Sequence, residues 1–265
     1  MAPVIVYWVE VINKCCYYFV YNSLKKHVKI QRILHSIIFK KFYIQAEHMV
    51  NTMTTIIPVD QKCSVCGYTS EQRVLGSTNS WGYPDLDLRL APMQRDTMRL
   101  WIVECPHCGY VAGNLENESG IRIDFVKSEA YVTCDGNEFE GKLSERFYRG
   151  FMIARETNDT RACFFNLHHC AWDCDDHNDP KASEMRKMAL PYLDEMIESA
   201  DEEKNNLVLI KADMLRRTEQ FDTLIEEYES VTLDDAKLDM VLKFQIQKAQ
   251  ERDTSCYTGE DMFGR

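Results

Sequence analysis

Two cysteine motifs, Cys63-Ser-Val-Cys66-Gly67 and Cys105-Pro-His-Cys108-Gly109, constrain this chain more than any other feature. Two residues between the sulfurs let both reach one cation, and the glycine that follows supplies the positive φ that turns backbone amides toward the thiolates. Neither pair fills a coordination sphere alone. Together they supply the four thiolates of a tetrahedral zinc site, with no position left open for water or substrate, so Cys63, Cys66, Cys105 and Cys108 are expected to hold a structural Zn²⁺. Iron is the alternative ion for the same sulfurs. The 38 residues between Cys66 and Cys105 exceed the ~15–20 of a compact ribbon, so a loop or hairpin is inserted between the knuckles. Redox pairs or a disulfide framework would use the same residue types, but no βαβ pattern flanks either motif. His107, inside the second knuckle, is read as a non-ligand.

Eleven cysteines in 265 residues would suit a secreted protein, yet the chain opens without the basic residues and small-residue cleavage pattern of a secretory signal. A reducing, cytoplasmic setting with free or metal-bound thiols is therefore expected. Charge is unevenly spread: residues 1–52 carry 7 Lys+Arg against 2 Asp+Glu, net +5, and residues 53–265 carry 24 against 40, net −16. So acidic a body repels phosphate backbones and disfavours nucleic acid as a partner.

Residues 1–52 form a sequence of another kind. Val4 to Tyr21 is apolar but broken by Glu10, Asn13 and Lys14, short of the ~18 uninterrupted residues that a spanning helix needs, so a membrane is not favoured. A membrane reading would put Lys25 to Lys41 on the cytoplasmic face. The preferred expectation is a non-native or disordered leader, with translation starting at Met53.

Residues 53–143 read as the zinc-ribbon domain. Arg73–Thr78 and Thr97–Val103 have strand character, joined through Gly82 and Pro84. Asp85, Asp87, Arg89 and Arg95 gather two carboxylates and two guanidiniums in a short stretch, either an anion or substrate site or a turn held by local ion pairs. Gly113–Gly141, with Ile121, Ile123 and Phe125 alternating, reads as a strand or loop connector. Ser144 is the expected N-cap of the first long helix. Residues 144–253 read as a helical domain, broken at Asn178-Asp179-Pro180 and at 201–206. Within it 207–231 resemble one tetratricopeptide (TPR) unit with Glu219 at the turn position usually held by glycine, and 162–200 a looser pair before it. Residues 254–265 are expected to fray.

Gly82-Tyr83-Pro84-Asp85-Leu86-Asp87-Leu88-Arg89, followed by Met93, Arg95, Thr97, Met98, Trp101 and the second knuckle, resembles bacterial proteins of the domain-of-unknown-function 2225 type. The resemblance covers residues 60–250. It implies a zinc-ribbon protein with a helical tail and assigns no reaction.

One other cluster could bear on chemistry: Cys170, Cys174 and His177, at helical spacing beside His168 and His169, could bind a second metal or supply a nucleophile. Buried core cysteines would give the same pattern. No phosphate loop, His-Glu-x-x-His or Gly-x-Ser-x-Gly motif occurs. The sequence thus points to an α+β protein, a zinc-binding, non-enzymatic module for protein interaction. Its partner is another protein or a second copy of the chain. The rival is an enzyme built on Asp85, Asp87, Arg89 and Arg95, or a nucleic-acid-binding ribbon.

Overall fold

The computed structural model describes residues 54–263, so the expectations for 1–52 and for a start at Met53 lie outside the described residues. Strand β1 (Thr55–Lys62) pairs antiparallel with β2 (Thr69–Ser77), and Lys62 faces Thr69 across the first knuckle. β1 has a neighbour on one side only, which is where Pro58 is tolerated, since it donates no ladder hydrogen bond. The second knuckle closes a shorter hairpin, β3 (Val103–Glu104) with β4 (Val111–Ala112).

Between the hairpins the expected strand over Thr97–Val103 survives only at Val103, which opens β3, and what precedes it is helix and bend. Pro92 opens α1 (Pro92–Arg95), and a 3₁₀ turn over Asp96–Leu100 follows. Proline suits a first helical position, and Thr97 Oγ1 donates to Gln94 O at 2.6 Å. Met98 and Ile102 are buried four residues apart, a helical rather than an alternating period. The connector is corrected in the same way: Ile123–Val126 and Glu129–Val132 form single-turn helices α2 and α3, the second capped by Ser128 Oγ, which accepts from Tyr131 N. Tyr131 packs on Phe125 and donates its hydroxyl proton to Gly109 O at 2.9 Å, tying the connector to the second knuckle.

Six longer helices follow: α4 (Lys142–Glu156), α5 (Thr160–Asp176), α6 (Lys181–Ser199), α7 (Lys204–Arg217), α8 (Phe221–Tyr228) and α9 (Ala236–Gln250). Each packs on the next, and α9 also returns to α7. The break at Asn178-Asp179-Pro180 falls where the sequence placed it, the one expected over 201–206 is confined to 200–203, and four helices end alike. Asn158, Asn178, Glu219 and Arg252 sit at φ of 55°, 54°, 64° and 58°. The next amide donates five residues back in each case, Asp159 to Ala154, Asp179 to Cys174, Gln220 to Leu215 and Asp253 to Lys248. This repeated left-handed cap satisfies the last carbonyls and reverses the chain.

The start of α4 differs from expectation. Gly141, not Ser144, is the N-cap, and it has no side chain to do the capping. The cap comes from the neighbouring helix: Asp173 Oδ2 accepts from Ser144 N at 2.8 Å and from Ser144 Oγ at 2.6 Å. A Cβ at position 141 would lie 2.2 Å from that oxygen, so glycine is what admits the carboxylate.

One hydrophobic core runs from Cys63, Cys105, Val111 and Leu115 through Phe147 and Phe151 to Leu193, Leu215 and Leu242. It crosses residues 143 and 144 without a gap. The architecture is α+β, with small antiparallel hairpins first and helices after. Residues 255–263 do not fray: Leu86 N donates to Tyr257 O at 2.9 Å and Gly259 N to Pro84 O at 3.1 Å, so this segment pairs with the insertion between the knuckles and leads into a last turn, α10 (Gly259–Phe263). Arg216, fully buried, fixes its approach by donating to Asp253 O and Ser255 O at 2.8 and 2.7 Å. Among the described residues no helix is long and apolar enough to cross a membrane.

Candidate metal centre and a buried ionic core

The two knuckles adopt the same turn. Cys63 N donates to Tyr68 O and Gly67 N to Cys63 O at 2.9 and 2.8 Å; Cys105 N donates to Tyr110 O and Gly109 N to Cys105 O at 2.8 and 2.9 Å. Gly67 and Gly109 take φ of 73° and 81°, where a side chain would be strained. The turns face each other and bring Cys63, Cys66, Cys105 and Cys108 together, their sulfurs all within 4.8 Å. Cys63 lies 3.7 Å from Cys108, and Cys66 lies 3.7 Å from Cys105. A tetrahedron of Zn–S bonds of ~2.3 Å sets its sulfurs ~3.8 Å apart, whereas a disulfide would need ~2.05 Å. The four cysteines are free thiols with the spacing of a tetrathiolate shell, and they can hold a metal ion.

Their protonation is uneven. Burial pushes the Cys63 and Cys108 thiols up. Burial acts on Cys105 too, but the amides of Cys108 and His107 outweigh it and hold that thiol below its ordinary value. Without a cation the shell keeps some of its protons; a divalent ion at its centre is what would let all four sulfurs ionise. His107 stacks on Tyr68 at 5.3 Å and stays outside the shell.

The Asp85, Asp87, Arg89 and Arg95 quartet neither converges on an open pocket nor fans into solvent. Asp85 and Asp87 are buried, and each has a cation: Arg95 pairs with Asp85, and Arg217 lies 3.5 Å from Asp87. Arg89 leaves the quartet and meets Asp176 at 2.5 Å. Asp87, 1% exposed, accepts from Trp172 Nε1 at 2.7 Å and from Arg89 N at 3.2 Å. Its backbone carbonyl accepts from His168 Nε2 at 3.2 Å. Arg217 continues to Asp175 at 2.8 Å, and Arg186, 2% exposed, donates to the same carboxylate at 3.1 Å. Burial alone would raise the Asp87 carboxyl, but His168, Arg186, Arg217 and the Trp172 N–H together hold it below the usual carboxylate range. Asp85 moves the other way, raised by burial and by Asp87 against the pull of Arg95. The network joins the knuckle insertion to α5, α6 and α7.

Cys170, Cys174 and His177 are not brought together as ligands. Both thiols are buried against α4, with Cys170 donating to Ser144 O at 3.4 Å and Cys174 to Ser144 Oγ at 3.6 Å. His177 Nδ1 donates to Asp173 O at 2.8 Å at the helix end. Burial raises the Cys170 thiol well above its ordinary value, the opposite of an activated nucleophile. Among the described residues the four knuckle cysteines are the one group of three or more His, Cys, Asp or Glu side chains close enough to share an ion.

Sequence reasoning passed over Asp173, Asp175, Arg186 and Arg217. A signal existed for two of them: Arg186 directly follows Met185 on the buried stripe of α6, and Arg217 closes the apolar run of α7, where a solvated cation would interrupt the core. No family model, curated protein or solved structure matches the chain.

Proposed function

We propose that this protein is a zinc-binding, non-enzymatic interaction module: a zinc ribbon whose ion fastens the two hairpins, carrying a TPR-like stack of helices that receives another protein. The observation that carries the reading is the four-sulfur shell, in which every ligand position is taken by thiolate and an ion would act as a clamp rather than a Lewis acid. The quartet that an enzyme would need is committed to ion pairs and indole contacts inside the core, which weighs against an acid–base role. The stacked helices α4 to α9 support the second half, since such stacks expose an extended concave surface. Kinship with the domain-of-unknown-function 2225 type belongs to the same proposal and rests on the Gly82–Arg89 segment and the second knuckle.

The test is metal analysis and affinity capture on one sample, with the tagged full chain purified from its own cells. One zinc per chain and a protein that co-purifies stoichiometrically, and is lost with Cys105→Ser, are the expected results. A metal-free chain refutes the clamp; a monomer carrying a bound metabolite refutes the interaction role.

A further inference from the structure

A cleft of about 620 Å³ opens between the second hairpin and helices α4 and α5, a volume in the range of small-molecule sites. His169 lines it, and its ring packs against Trp101, Phe147 and Phe165, which also line the cleft, and against Trp172 behind it, with centroids 5.0, 5.2, 5.8 and 4.9 Å away. Burial drives this imidazole down to about 3, so it is neutral at pH 7 and keeps one ring nitrogen as an acceptor. Asn166 also lines the cleft; its amide N–H donates to Ala162 O at 2.8 Å, which leaves its carbonyl as a second acceptor. The charged side chains of the lining are Glu118 and Asp159, both exposed, and no lysine or arginine is among them. The nearby Arg161, 5.1 Å from the Phe165 ring, is already matched by Glu203 at 2.7 Å.

We propose that this cleft binds a small organic cation, an ammonium on an apolar stem. Aromatic faces attract a cation through their quadrupole, the two carboxylates supply opposite charge, and the neutral acceptors receive the ammonium protons. A carboxylate ligand of the same size would meet like charge from Glu118 and Asp159 and no cation, with only neutral donors such as Asn117 and Ser119 to receive it. The cation arrives either as a free amine or as the lysine side chain of another protein, and the chemistry of recognition is the same. The inference stands on the cleft and not on the interaction role proposed above.

The experiment titrates the metal-loaded full chain by calorimetry and tryptophan fluorescence with phenethylamine, its neutral isostere phenylethanol, phenylacetate, and the capped amino acid Nα-acetyl-lysine methylamide. Phenethylamine is expected to bind saturably and at least about tenfold more tightly than phenylethanol, with phenylacetate weakest. The double variant Glu118→Gln with Asp159→Asn, which keeps a capping side chain at 159, is expected to lose that preference while phenylethanol is unaffected. Unchanged circular dichroism and metal content establish that the variant is folded. Tighter binding of the capped lysine than of phenethylamine assigns the cation to a protein, and weaker binding assigns it to a free amine. Equal affinity for amine and alcohol, tighter binding of phenylacetate, or no saturable amine binding up to about 10 mM overturns the proposal. Amine binding in a chain that captures no protein would refute the interaction role alone.

Discussion

Replacing Asp87 by asparagine separates a carboxylate that staples the fold from one held for chemistry. Removing one member of a buried ion pair typically costs about 3–5 kcal/mol, because its partner is left charged and desolvated. Here the cost is smaller. Arg217 lies 3.5 Å from Asp87 but 2.8 Å from Asp175, so it keeps its nearer carboxylate. Trp172 Nε1 and Arg89 N donate to different oxygens of the carboxylate, at 2.7 and 3.2 Å, so the single oxygen of asparagine keeps the shorter indole bond and only the Arg89 amide loses its acceptor. We therefore expect Asp87→Asn to lose about 2 kcal/mol, which for a domain of this size lowers Tm by roughly 4–8 °C. Asp87→Leu strands the indole donor as well and is expected to lose about 4 kcal/mol. Urea unfolding of the metal-loaded protein, read by circular dichroism, gives both values, and a cycle with Arg217→Met should return a coupling of about 1 kcal/mol or more. The sign with pH follows from the lowered carboxyl of Asp87: its contribution is complete above the unfolded value near 4 and is lost as pH falls through the lower folded value. The acid limb of the stability curve is thus expected to be shallower in Asp87→Asn. A carboxylate kept for reaction is a strained group whose removal often stabilises. Increased stability of Asp87→Asn, or a coupling near zero, would refute the staple and return the quartet to consideration as an active site.

Cys105→Ser, or a strong chelator at neutral pH, is expected to release the metal and melt both hairpins; metal binding supplies about 10–16 kcal/mol to small zinc-dependent folds, far more than one side-chain contact. Loss of near-ultraviolet dichroism together with one equivalent of zinc in a colorimetric assay checks this. Gly150→Ala should destabilise by about 1–3 kcal/mol although alanine is the better helix former, since its Cβ would fall 2.4 Å from Asn166 Oδ1 and 2.9 Å from Ile102 Cδ1; a thermal melt above the parent's would contradict that packing. Glu219→Gly relieves a left-handed residue at the end of α7 and should stabilise by up to about 1 kcal/mol, whereas a lower midpoint in urea would mean that the glutamate side chain makes an unrecognised contribution.

The metal site was legible because its chemistry is local twice over: the cysteine spacing and the glycine that follows dictate each knuckle, and the coordination number dictates that the knuckles meet. The helices from α5 to α8 were legible for a similar reason, since their ends are marked by Asn178-Asp179-Pro180 and by Glu219 at the turn. Thr97–Val103 misled because Met98 and Ile102 lie four apart within a run rich enough in β-formers to suggest alternation. Ser144 misled because the cap of α4 belongs to Asp173, 29 residues away, and no local rule can find a partner at that range. The partners of Asp87 were hidden for the same cause: Trp172, Arg186 and Arg217 come from three different helices, and only packing brings them to one carboxylate.

The pairing of Tyr257 and Gly259 with Leu86 and Pro84 bears on how the molecule is made. During synthesis the four sulfurs emerge early, and an ion can organise the knuckles while the helices are still being translated. The insertion between them must wait, because the segment that seals its edge is translated only after helices α4 to α9. The knuckles can therefore meet before this edge is sealed, and a nascent chain stalled before Tyr257 would leave the insertion open to solvent.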